Sequence, residues 1–279
     1  MRSFTFCGQN SYDNKLIVKS INRQPLPAPK TIINSIIGAD GSYDYSADNT
    51  DNRIHYEDRI FEIQVSAIGK NMTDVQSNIS KFVVPMFLGK KGDLIFDDSI
   101  YTVWKNTFIP QSADFAYQLG KLGQASLFFR MDPFAKTIFH SLGAYDINNH
   151  DYDFLKPNYI TTFAAAGDMI VNNIGTWYCK PLLKITGSGS YLEITLANRT
   201  LNINTSFGAG DTIYIDYKNE FIYKNNVSIM NTVLGVFGEL VPGNNTISVA
   251  GTFTSVTIEV KIEFQFAYEA GDLNAQSLQ

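Results

Sequence analysis

The chain has 279 residues, 44% of them hydrophobic and 13% aromatic, with 20 Phe, 15 Tyr and a formal net charge of −5. That length exceeds the ~150-residue prior for one domain, so two domains of about 130 residues each are expected, and the aromatic load favours strands, where such rings pack on a pleated face. Lys and Arg are scattered singly, which excludes the basic stripe a nucleic-acid groove requires. No run approaches the ~18 apolar residues of a membrane span.

In chain order, "MRSFTFCGQNSYDNKL" carries no apolar core of a signal peptide, so no secretion signal is expected. Phe4, Phe6, Leu16 and Val18 flank a turn rich in Gly, Asn, Ser and Asp, and read as two strands of a hairpin or meander. The proline-rich "QPLPAPK" cannot be a central strand, because proline supplies no ladder donor, and reads as an extended lead-in. Next comes "IIGADGSYDYS", residues 36–46. Asp40 and Asp44 raise the question of a metal loop, whereas Asp40-Gly41 is the signal of a type I′ hairpin turn. "DGSYDYSADNTDN" lacks the register of a calcium loop, and acidic turn clusters are ordinarily solvated. "NRIHYEDRIFEIQVSAIG" alternates as a half-buried strand with a phase change after Tyr56.

One segment changes period. "NMTDVQSNISKFVVPMFLGKKG" spaces Val75, Ile79, Phe82, Val83 and Met86 at helical intervals. It predicts a helix near 72–88, with Thr73 and Gln76 as a capping box, Pro85 as terminator or kink, and Gly89, Lys90 and Lys91 as the stop. Strands resume with "DLIFDDSIYTVW", turning at Asp97-Asp98-Ser99, and the unit closes at "LGQASLFFRMDPFAK". The expected division is a β domain over 1–135, a β-sandwich over 136–270 and a flexible tail over 271–279. In the second half, "GSGS" at 187–190 reads as a hairpin turn between "LLKIT" and "YLEIT". Val256, Ile258, Val260, Ile262, Phe264 and Phe266 share one strand parity, the mark of one buried face.

Chemistry is sparse. His55, His140 and His150 have no zinc spacing, and no nucleophile elbow or phosphate loop occurs. Cys7 and Cys179 form no disulfide framework; both read as buried small hydrophobes in a chain made in a reducing compartment. The acidic clusters Asp40, Asp44, Asp48, Asp51 and Asp146, Asp151, Asp153 lie in turns. No catalytic, metal or cofactor site is expected. Trp177 and Tyr178 are the candidates for saccharide stacking, which leaves carbohydrate binding open.

The order of features, from "SFTFCGQNSYDNKLIVKSINR" through the proline lead-in, "IIGADGSYDYS", "IFEIQVSAIG", the single helix and "GDLIFDDSIYTVW" to "GQASLFFRMDPFAK", resembles the distal tail proteins of long-tailed bacteriophages. "NNIGTWYCKPLLKITGSG", "IYIDY" and "LVPGNNTISVAG" resemble the galectin-like or carbohydrate-module-like sandwich that follows in that family. The resemblance implies a mainly β structural protein rather than an enzyme: an N-terminal β-sandwich with one helix and an extended hairpin, then a galectin-like jelly roll. It implies a hexameric ring at the distal end of the virion tail, synthesised in the host cytoplasm, between the tail tube protein and the tail-associated, receptor-binding proteins. DNA would leave through the ring's channel without sequence-specific grip, and no membrane insertion is implied. The host leaning is to Gram-positive bacteria, and tail-derived bacteriocins use similar hubs. The hairpin holding Ile36, Ile37, Asp40, Gly41, Tyr43 and Tyr45 is the expected oligomerisation arm. The rival expectation is a module that adheres to cell-wall polysaccharide through the C-terminal sandwich.

Overall fold

The computed structural model describes residues 3–23, 26–35, 37, 40–47, 53–87, 91–99, 102–107, 114–118, 122–137 and 159–267. The fold is mainly β, with a single α-helix among the described residues. Two compact units divide the chain: one holds the N-terminal residues to Lys136 together with Ala267, the other Thr137–Phe266.

The first unit contains β1 (Phe4–Phe6), β2 (Gln9–Asn10), β3 (Leu16–Asn22), β4 (Ile33–Ser35), β5 (Ser42–Asp44) and β6 (Arg59–Ile68), then α1 (Met72–Phe87). It continues with β7 (Gly92–Phe96), β8 (Thr102–Thr107), β9 (Asp114–Gln118), β10 (Leu122–Met131) and β11 (Ala135–Thr137). One sheet runs β2-β1-β7-β8-β11 and the other β3-β6-β10-β9. Alternation sends Phe61, Ile63, Val65 and Ala67 of β6 and Ala125, Leu127 and Phe129 of β10 inward. There they meet Phe4, Phe6, Phe96 and Trp104 of the first sheet. Phe61 packs edge-on to Trp104 at 4.9 Å between ring centroids, and Phe4 edge-on to Phe129 at 5.8 Å. Such pairs contribute about 0.5–1.5 kcal/mol beyond their area.

Three local expectations change here. Residues 4–6 and 16–22 do not pair: β1 turns on Cys7-Gly8 (φ 50° and 77°) into β2, and β3 crosses to the other sheet beside β6. Cys7 is therefore exposed at a two-residue turn and is not a core residue. The helix starts at Met72 as expected, but its cap is Asn71, two residues before the expected Thr73. Asn71 Oδ1 accepts the Asp74 N–H (2.9 Å), and the Asp74 carboxylate accepts the Lys70 N–H (3.2 Å), a reciprocal cap for which asparagine outranks threonine. Of the two roles expected of Pro85, terminator or kink, the first is not taken, since α1 continues to Phe87; Gly89 and Lys90 lie outside the described residues.

The second unit contains β12 (Tyr159–Phe163), β13 (Gly167–Asn173), β14 (Leu182–Leu196), β15 (Arg199–Ile203), β16 (Thr212–Asp216), β17 (Phe221–Lys224) and β18 (Val227–Ser228). It ends with β19 (Val233–Gly235), β20 (Gly243–Lys261) and β21 (Gln265–Phe266). Its frame is the pair β14·β20, antiparallel from Leu182↔Lys261 to Leu196↔Ile247. The segment Gly187–Ser190 is not a hairpin; it is the middle of β14. At that point Ser188 faces Ser255, Gly189 faces Phe253 and Tyr191 faces Thr252, so Ser190 and Thr254 each stand unopposed. One inserted residue per strand flips the side-chain parity. Leu183 and Ile185 are buried on one side of the bend and Leu192, Ile194 and Leu196 on the other; in β20, Ile247 and Val249 precede the flip and Val256, Ile258 and Val260 follow it. One half of the long pair is flanked by β12 and β16, the other by β13 and β15, and all contribute to one core.

Candidate functional site

Beyond Asn22, the two neighbouring strands β3 and β6 are joined through an extended arm. The proline lead-in pairs with the returning chain: the Lys30 N–H donates to the His55 carbonyl (2.7 Å) and the Glu57 N–H to that of Ala28 (2.8 Å), with a bridge at Pro29↔Tyr56. A proline is tolerated because this ribbon has free edges. Further out, β4 and β5 pair as Ile33↔Asp44, Asn34↔Tyr43 and Ser35↔Ser42. The expected two-residue type I′ turn at Asp40-Gly41 is not formed, because Ser42 is bridged to Ser35 and not to the residue directly before Asp40. Gly41 takes a φ of +84°, which glycine adopts without steric cost.

Asp44 is engaged by the backbone turn: its Oδ1 accepts the Ser46 N–H (2.8 Å) and the Ser46 hydroxyl, and these bonds hold its carboxyl below the usual carboxylate range. The Ser46 hydroxyl in turn accepts the Ile32 N–H (2.9 Å), and the Tyr45 N–H donates to the Ile32 carbonyl (2.8 Å). This closes the ribbon and occupies the carboxylate that a metal would need. Among the described residues no group of three or more His, Cys, Asp or Glu is disposed to hold a metal. Asp48, Asp51, Asp146, Asp151, Asp153, His140 and His150 lie outside the described residues.

The arm's side chains are apolar and turned to solvent. Ile37 is 104% exposed, Ile33 57% and Tyr43 55%; Ile32 and Leu26 are likewise exposed. Tyr43 and Tyr45 stack at 6.2 Å between centroids. Ile36 lies outside the described residues. Of the expected arm residues the structure therefore brings Ile37, Asp40, Gly41, Tyr43 and Tyr45 onto one hairpin, and it adds Ile32 and Ile33. Their signal was present in "TIINSII", an apolar run directly after a proline tether. A monomer gains nothing by displaying such a group of side chains, and patches of this kind mark interaction surfaces.

Trp177 and Tyr178, the saccharide candidates, are half-buried and pack edge-to-face on each other at 5.3 Å. The Trp177 N–H donates to the Gln265 carbonyl (3.2 Å), and its carbonyl accepts from the Asn173 side chain (2.9 Å). Asn173 is itself buried and accepts the Gly175 N–H, so this segment is fastened as part of the sandwich.

Residues 174–268 match a family described as the C-terminal domain of siphovirus-type tail components. Over nearly its whole length the chain is similar to the SPP1 Dit (gp 19.1) protein, whose crystal structure is described as a paradigm of hub adsorption apparatus in Gram-positive infecting phages. The identity is 16%, the TM-score 0.68, and the alignment covers 94% of this chain and 99% of that one. Chains of the phage P2 baseplate in its activated conformation with Ca or with Sr align at 8% and 9% identity. Both have a TM-score of 0.40 and cover 94% of this chain and 98% of theirs, a likeness too slight to define a shared fold. No curated protein sequence matches. Residues 174–268 thus carry a siphovirus-type tail component C-terminal domain, and the chain as a whole shares the fold of the SPP1 Dit protein.

Proposed function

We propose that this protein is the structural hub of a phage tail tip, a ring of six copies that joins the tail tube to the tail-associated, receptor-binding proteins and leaves a channel for DNA. The observation that carries the reading is the apolar arm on a chain with a tail-component domain. Ring closure demands heterologous contacts, in which one face of a subunit meets a different face of the next. A ribbon that presents Ile32, Ile33, Ile37 and Tyr43 beyond the body of its own unit suits that demand, since fully burying one such side chain contributes about 1.5–3 kcal/mol. The unit of residues 1–135 builds the ring. The sandwich that follows projects outward as a docking platform and has no catalytic role. The net charge of −5 agrees with a lumen that lets DNA slide past.

Docking is preferred over polysaccharide adhesion because Trp177 and Tyr178 spend much of their surface on each other and on the sandwich. Deleting residues 34–47 and measuring mass in solution tests the role of the arm. The full chain is expected as a ring and the deletion as a smaller species with intact β circular dichroism. An unchanged ring in the deletion would overturn the assignment.

A further inference from the structure

Asp40-Gly41 is the only Asp-Gly pair in the sequence, and no Asn-Gly pair occurs. Both residues are exposed and lie outside strands β4 and β5, beyond the described pair Ser35↔Ser42. No described residue hydrogen-bonds the Asp40 carboxylate, and a Cβ built on Gly41 would meet nothing within 4 Å. We propose that Asp40 is a site of spontaneous isoaspartate formation, a covalent modification of the arm's tip that needs no enzyme.

The reaction requires the backbone nitrogen of the following residue to reach the aspartate Cγ. A side chain on that residue obstructs the approach, and a hydrogen-bonded strand forbids the necessary rotation about ψ; glycine in a loop removes both obstacles. The Gly41 nitrogen attacks Asp40 Cγ, the N–Cγ bond forms and the Cγ–O bond breaks. The amide proton and the hydroxyl leave together as one water, which gives a five-membered succinimide. A water then adds back. Attack at the Cγ carbonyl restores aspartate; attack at the former backbone carbonyl leaves the main chain running through Cγ, with the α-carboxylate as the side branch. No oxidant or co-reactant is consumed. The product carries one extra carbon in the backbone between Asp40 and Gly41.

Other aspartates in the same fold serve as controls. Asp44 precedes the bulky Tyr45, lies in β5 and has its carboxylate held by Ser46, and Asp93 lies in β7 with its carboxylate on Lys105 Nζ at 2.7 Å. The chemistry stands whether or not the arm builds a ring.

The test is prolonged warm incubation of the purified full chain at neutral pH, followed by protein-isoaspartyl methyltransferase labelling and chymotryptic peptide mapping, which cuts after Tyr43 and so separates Asp40 from Asp44. The expected result is label that accumulates on the peptide holding Asp40, accompanied by a minor species lighter by one water, with the peptides holding Asp44 and Asp93 unlabelled. Asp40→Glu, whose longer side chain would have to close a six-membered ring, loses the label while keeping the same circular dichroism. Absence of label at Asp40, or equal label on the control peptides, overturns the proposal.

Discussion

Tyr217 is buried in the sandwich core, with its ring edge-on to Phe237 at 5.6 Å and its N–H donating to the Pro181 carbonyl (3.2 Å). Its hydroxyl finds no hydrogen-bond partner among the described residues, and burial pushes its pKa up. An orphaned buried hydroxyl costs about 1–3 kcal/mol, so Tyr217→Phe is expected to raise stability by about 1 kcal/mol in urea unfolding. The two cysteines make a second comparison. Burial pushes the Cys179 thiol up to about 12, whereas Cys7 is exposed on its tight turn. Ellman's reagent should therefore react with Cys7 in the native protein and with Cys179 only after denaturation; an unreactive Cys7 would contradict the exposed turn. Neither difference was legible in the sequence. Both cysteines read as core because residue type alone suggests it, and the exposure of Cys7 follows from which strand its turn joins.

At the scale of elements, the bend in β14 and β20 depends on close backbone approach. A Cβ on Gly187, at φ +139°, would stand 2.1 Å from the Ser255 carbonyl oxygen, while one on Gly208 would meet nothing within 4 Å. Gly187→Ala is thus expected to cost about 2–4 kcal/mol in denaturant unfolding and Gly208→Ala less than about 0.5 kcal/mol. The sequence showed the alternation of Val256, Ile258 and Val260 but misread Gly187–Ser190 as a turn. A glycine-serine run looks alike as a hairpin and as a bulge, and only pairing with a strand some sixty residues later, Ser188↔Ser255, decides between them. The arm shows the same division. Its position and apolar character were readable, whereas its register was not, because the pairing of β4 with β5 is fastened by the Ser46 bonds to Ile32 and Asp44. Those bonds make the arm pH-sensitive. The folded pKa of Asp44 lies below its ordinary 3.8, so its support is present above that pH and lost as pH falls through the lowered value. Protection of the Ile32 and Ser46 amides, taken relative to their intrinsic exchange rates, is expected to fall at acid pH before that of β6 and β10, and Asp44→Asn should show the lowered protection already at neutral pH.

For the whole molecule, the sequence order of strand, proline tether, hairpin and single helix was enough to suggest the family. Periodicity survives without contacts, and the aromatic alternation of β6 and β10 is the core itself. Periodicity says nothing of the apolar side chains that one copy leaves exposed, chiefly Ile33, Ile37 and Tyr43. On our proposal six copies close a ring through this arm. Negative-stain imaging of the purified full chain should then show six-fold rings with a central hole, and a field of single subunits or of closed two-fold dimers would refute the ring.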